Sequence, residues 1–139
     1  MKNAITVQTV VKAPVSKVWE YWNKPEHIEK WAFASDDWEA YGAENDVHVG
    51  GKFKTTMAAK DKSASFDFTG TYTQVGEHEL IEYTMDDGRK VSVKFESMDG
   101  DSTKITESFE PESANSEEKQ RGGWQAILEN FKKYVESSK

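Results

Sequence analysis

The sequence predicts an α+β domain in which a curved antiparallel sheet of six or seven strands wraps a long C-terminal helix, with two short helices after the first strand. Three observations carry that expectation. Apolar residues alternate along five segments between residues 50 and 111, and short turns join them. A helical-period stripe (Trp124, Ile127, Leu128, Phe131, Val135) closes the chain. Two short segments of helical period lie between the first strand and the alternating region. A sheet with one apolar face and a helix with one apolar stripe each need a surface to bury against, and each supplies the other's.

The elements follow in order. "AITVQTVVKAP" is rich in β-branched residues and stops at Pro14, which reads as strand one. Val15, Val18, Trp19 and Trp22 then recur at helical spacing until Pro25. "PEHIEKW" starts a second helix with proline in its first turn, where the missing N–H costs nothing. Phe53, Thr55 and Met57 share one strand face, as do Phe66, Phe68, Gly70 and Tyr72 on the next. Ile81, Tyr83 and Met85 follow, then Val91, Val93 and Phe95 after the Asp86-Asp87-Gly88 turn. One-sided alternation with short turns is the pattern of an antiparallel meander with one wet face. Asn115 with Glu118 three residues on has the form of a capping box for the last helix.

Inside that helix, Gly122 and Gly123 stand side by side. Two mid-helix glycines cost roughly 2 kcal/mol together relative to alanine. They either open room beside Trp124 at the mouth of a cavity or let the backbone approach a neighbouring element closely.

With 139 residues, one domain spanning 1–139 is expected. Apolar residues make up only 36%, but 12% are aromatic, and each aromatic buries on the order of 150–250 Å². The net charge of -7 and the scattered lysines give no positive footprint for nucleic acid or anionic lipid. No apolar run approaches the ~20 residues that span a bilayer, the N-terminus has no signal-peptide pattern and there is no cysteine. A monomeric cytoplasmic protein without membrane insertion or disulfides is the expectation.

His27, His48 and His78 have no metal-ligand spacing, Gly50-Gly51 precedes a strand and not a helix, and no serine sits in a nucleophile motif. No metal, cofactor or catalytic residue is therefore expected.

The order of elements carries "KAPVSKVWEYWNKPEHIEKW", "GGKFK" and "GGWQAILENFKKYVE". In these, Ala13, Pro14, Val18, Trp19, Pro25, Glu26, His27, Trp31, Gly50, Gly51, Gly123 and Trp124 form a pattern that resembles the START-like helix-grip superfamily. Within it the chain is most similar to bacterial relatives of the heat-shock-protein-90 ATPase activator. The resemblance covers nearly the whole chain and departs where Ala32 follows Trp31, a position often aromatic in that family. It implies the helix-grip fold and a cavity between sheet and long helix, suited to a lipid or a flavonoid or polyketide-like aromatic.

The candidate ligand-binding residues are Trp31, Phe33, Phe53, Met57, Phe66, Phe68, Tyr83, Phe95, Glu107, Trp124 and Leu128. Core packing is the commoner fate of any single apolar member; as a set they would line whatever cavity exists. Glu107 shares a strand face with Ile105 and Phe109. Turned inward, it would be a carboxyl in an apolar site with a raised pKa. The opposite register, with Thr106 and Ser108 inward and Glu107 in water, is the commoner arrangement and is the one expected. Tyr72 and Tyr83 are further hydroxyl candidates.

The reading is a domain that binds a hydrophobic small molecule and performs no chemistry. The alternatives are a cyclase or isomerase using an inward carboxylate, and a chaperone-interacting domain. The chaperone role ranks last, because one domain lacks the additional domain of the eukaryotic activator.

Overall fold

The computed structural model describes residues 3–138. The elements are β1 (Ile5–Val11), α1 (Val15–Asn23), α2 (Pro25–Trp31), β2 (Trp38–Asn45), β3 (Lys52–Ala59), β4 (Ser65–Gly76), β5 (Leu80–Met85), β6 (Lys90–Ser97), β7 (Thr103–Phe109) and α3 (Glu117–Ser137). The seven strands form one antiparallel sheet in the order β1-β7-β6-β5-β4-β3-β2, with α1 and α2 carrying the chain from one edge to the other. This is the helix-grip arrangement: a curled sheet around a long C-terminal helix.

Proline chemistry sets the α1–α2 break. The residue before a proline is pushed out of the helical region, and Lys24 is extended at φ -72° and ψ 129°. It ends α1 and begins α2: its N–H donates to the Glu20 carbonyl at 3.0 Å, and its own carbonyl accepts from His27 and Ile28. Asn45 Nδ2 donates to the Asn23 carbonyl at 2.7 Å, tying the end of α1 to β2.

α3 packs Leu128, Phe131 and Val135 into the core without exposure, with Trp124 and Ile127 partly covered beside them. Its other attachments are polar. β1 is an edge strand, so half of its carbonyls have no ladder partner. Arg121, Gln125 and Lys132 of α3 donate to the carbonyls of Thr6, Gln8 and Val10 at 3.0, 3.1 and 2.6 Å. The Lys12 N–H donates to Glu136 at 2.8 Å.

For this helix one expectation needs correction and one of two alternatives falls away. The cap is Ser116 and not Asn115: Ser116 Oγ accepts from the Lys119 N–H at 3.1 Å, while Asn115 lies one residue outside the helix and binds Glu112 through its side chain. Both residues suit a cap, and the helix begins one residue later than the capping-box pattern implies. Close approach at the glycine pair is also absent. A Cβ built on Gly122 or Gly123 meets no atom within 4 Å, whereas one built on Gly70 falls 2.7 Å from the Phe53 ring that covers it.

Replacing both Gly122 and Gly123 by alanine therefore removes a propensity penalty without a clash. The double variant is expected to be more stable by about 1–2 kcal/mol, read as a shift in the urea midpoint with unchanged m-value.

Candidate functional site

The sheet face under α3 is only partly filled. α3 contacts β1, α1 contacts β6, and α2 contacts β2. Between these supports, over β3, β4 and β5, lies an open cavity of about 400 Å³. Its floor includes Phe53, Thr55, Met57, Phe68, Tyr72, Tyr83 and Met85. Its roof is Gly123, Trp124 and Ile127 of α3, and its wall includes Trp22, Ile28 and Trp31 of α1 and α2.

Aromatic contacts hold these walls. Phe53 packs edge-on against Tyr83 at 4.8 Å and lies 5.3–5.4 Å from Tyr72 and Phe68. Trp124 stacks flat on Phe109, 4.0 Å between centroids. Trp31 meets Phe131 edge-on at 4.9 Å, and its indole N–H donates to the Tyr21 carbonyl at 2.9 Å.

Of the expected residues, Trp31, Phe53, Met57, Phe66, Phe68, Tyr83, Glu107 and Trp124 line this cavity. Phe66 stands at its rim, 52% exposed, because no helix covers that end of β4. Phe33 lines a smaller neighbouring hollow of about 170 Å³ with Trp38, Phe66 and Ile127. Phe95 and Leu128 do not reach the cavity. Phe95 is held under α1 between Trp19 and Trp22 at 5.3 and 5.7 Å, and Leu128 is fully buried in the core under α3. Both are inward as the pattern required, but alternation gives the face of a residue and not what covers it.

The register of β7 corrects the expectation for Glu107. Thr103, Ile105, Glu107 and Phe109 face inward, and Glu107 is only 6% exposed. Its cross-strand neighbours are Val93 of β6 and Val7 of β1, and Ile105 and Phe109 flank it on its own strand. Four apolar neighbours leave a carboxylate poorly solvated, and burial raises its pKa from 4.5 to about 8. Among the described residues no hydrogen-bond donor or cation pairs with it. The Tyr83 hydroxyl is likewise unpaired, and burial, with the nearby Glu107 charge, pushes its pKa well up. The Tyr72 hydroxyl, by contrast, donates to Asn45 Oδ1, which Asn45's hold on α1 keeps in place.

Sequence reasoning passed over several lining residues. Asn45 belongs to β2, whose polar composition and bulge between Tyr41 and Glu44 hide any alternation. Arg89, paired with Asp87 at 2.8 Å, reaches the cavity from the turn before β6. Gln120 is buried because it holds the preceding loop: it accepts from the Glu112 N–H at 2.8 Å and donates to the carbonyls of Glu112 and Asn115. Among the described residues, no group of three or more acidic or histidine side chains is placed to hold a metal ion. None of the helices formed by the described residues is long and apolar enough to cross a membrane.

The family model for activator of Hsp90 ATPase homolog 1-like proteins matches residues 12–136. The chain belongs to this family. The AHSA1-like protein of Aeromonas hydrophila, solved in solution, is 44% identical over 96% of this chain and 92% of its own, with a TM-score of 0.89. A Cytophaga hutchinsonii protein, also a solution structure, is 56% identical over 97% and 93%, with a TM-score of 0.82. A Chromobacterium violaceum protein at 24% identity shares the fold, covering 96% of this chain and 98% of its own at a TM-score of 0.85. Among curated proteins none matches.

In this AHSA1-like chain the buried carboxyl has a consequence for stability. Glu107 titrates near 4.5 when unfolded and at about 8 when folded. Between those values the folded chain holds a proton that the unfolded chain has released. Stability therefore falls as pH rises from 4.5 to about 8 and levels off above that. Glu107→Gln abolishes that slope and is expected to gain on the order of 3 kcal/mol at about pH 7 and little below about pH 4.5. Urea melts of both proteins across this range measure the difference.

Proposed function

We propose that this protein binds a hydrophobic small molecule in the cavity between its sheet and α3. The ligand class is a lipid or an aromatic molecule of flavonoid or polyketide type. One observation carries this: a pre-formed cavity of about 400 Å³ whose floor, roof and walls are mostly aromatic and aliphatic. Ligand sites are typically clefts of ~300–1,000 Å³ with few polar groups among apolar walls.

A two-dimensional amide NMR titration with a mixed library of lipids, flavonoids and polyketide-like aromatics tests the reading. Shifts are expected to gather around Trp31, Phe68 and Trp124. Gly123→Phe places a ring in the open space beside Gly123, and is expected to keep the fold while weakening binding at least about tenfold, or ~1.4 kcal/mol. Undiminished binding to this variant, or shifts confined to the outer sheet face, would overturn the assignment.

The inward Glu107 favours a second reading, a cyclase or isomerase in which this carboxyl moves a proton. It is separable from binding. Incubated in deuterated buffer with acetylnaphthalene, a simple binder exchanges none of the ketone's α-protons above the uncatalysed rate, and that is the outcome expected. Exchange by the wild type and not by Glu107→Gln would make the protein an enzyme. The family's name also carries a chaperone-contact reading, which recovery of the protein in a pull-down with the chaperone would support.

A further inference from the structure

The cavity is apolar except at a few points, and several of its polar groups, among them Asn23 Oδ1, the Thr55 hydroxyl, Tyr83 and Glu107, have no hydrogen-bond partner among the described residues. The Glu107 carboxyl and the Tyr83 hydroxyl both line it, lie within electrostatic reach of each other, and make no hydrogen bond to any described residue. On the sheet they sit two strands apart: Glu107 pairs with Val93 and Tyr83 with Val91, neighbours on one face of β6. Neither group is sealed off from that space; among the described residues the one sealed side-chain polar atom without a partner is Asn23 Oδ1. Glu107 and Tyr83 together, facing one space, are what a ligand's polar end would satisfy.

We propose that the neutral Glu107 carboxyl and the Tyr83 hydroxyl act as paired donors to a single uncharged acceptor oxygen on the ligand. This rests on the small-molecule reading and narrows it: the ligand is an apolar molecule whose buried end is a ketone, ester or amide carbonyl. A free carboxylate or an amine is the wrong chemistry for this pair. The carboxyl is protonated at neutral pH because burial raises its pKa to about 8. The other titratable groups on the cavity are Tyr72 and Arg89 from the sheet side, Glu112 after β7 and Lys119 on α3; α1 and α2 contribute none. Burial is the one cause of the Glu107 shift, so the site behaves as a donor until Glu107 ionises. Above that point a donor becomes an acceptor and repels the carbonyl.

Three probes with one naphthalene body separate the possibilities: ethylnaphthalene, acetylnaphthalene and naphthylethylamine. At about pH 6 the ketone is expected to bind about three- to tenfold more tightly than the hydrocarbon, the yield of one hydrogen bond. At about pH 9 the ketone is expected to weaken about tenfold while the hydrocarbon changes little. Glu107→Gln keeps an N–H donor, so it is expected to retain the ketone preference and lose the pH dependence. Glu107→Leu and Tyr83→Phe should each reduce the preference while leaving ethylnaphthalene bound. If the hydrocarbon binds and the ketone is no tighter, or the amine is tightest, the donor-pair proposal fails and the cavity reading stands. If no probe binds, both fail together.

Discussion

The attachment of α3 to the β1 edge is the constraint from which the rest of the molecule follows. Arg121, Gln125 and Lys132 cap the carbonyls of Thr6, Gln8 and Val10, and Glu136 takes the Lys12 N–H. These side chains satisfy backbone groups that an edge strand would otherwise present to another chain. They also fix where the helix lies. Trp124 stacks on Phe109 of β7, so the helix sits over the β1–β7 side of the sheet and not over its middle.

One helix cannot cover what remains. Neighbouring strands lie ~4.8 Å apart, so the seven strands span roughly 29 Å, against ~10 Å for a helix with its side chains. α1 and α2 support the rest at β6 and at the β2 edge. The faces of β3, β4 and β5 between them are left to line a cavity, and large rings standing against one another (Phe53, Phe68, Tyr72, Tyr83) hold it open. Curvature contributes as well. Phe53 lies over Gly70 where any side chain would collide, and a bulge between Tyr72 and Gln74 bends β4 at the same level. Glu107 stands on the inner face of β7, with Val7 and Val93 as its cross-strand neighbours. Its burial lowers stability at neutral pH, and no structural partner offsets that loss among the described residues. A group kept against the interest of the fold is a candidate for function.

The fold was legible because period reports the face of a residue directly. Phe53, Met57, Ile81, Tyr83, Val91 and Val93 are inward as alternation requires, and the α3 stripe is buried as its spacing requires. The site was legible only in part. Alternation places Phe95 and Tyr83 on the same face, but α1 covers one and a cavity lies before the other, and that depends on helix placement. Helix placement depends in turn on Arg121, Gln125 and Lys132, whose bonds to β1 no period in the sequence reports. Glu107 was misjudged for a related reason. The preference for solvated carboxylates is a general rule, while Ile105 and Phe109 on the same strand were the local evidence against it. β2 escaped because an edge strand with a bulge needs no alternation to pair.

The glycine pair follows from the same geometry. A helix held only by its apolar stripe would be weakened where two adjacent residues lack side chains. α3 is held on both sides of the pair, by Arg121 before it and Gln125 after it, each bonded to β1. The local loss of helix propensity, roughly 2 kcal/mol, is therefore borne by a segment already clamped to the sheet edge. Gly123 is part of the cavity roof, and the space beside it is empty. A longer side chain there would fill the volume that the clamped helix and the wide sheet leave open. Gly122 also meets open space, but it does not line the cavity, so the roof accounts for one glycine and not for both. The helix tolerates the pair because its ties to β1 do not depend on them; the cavity gives a reason for Gly123.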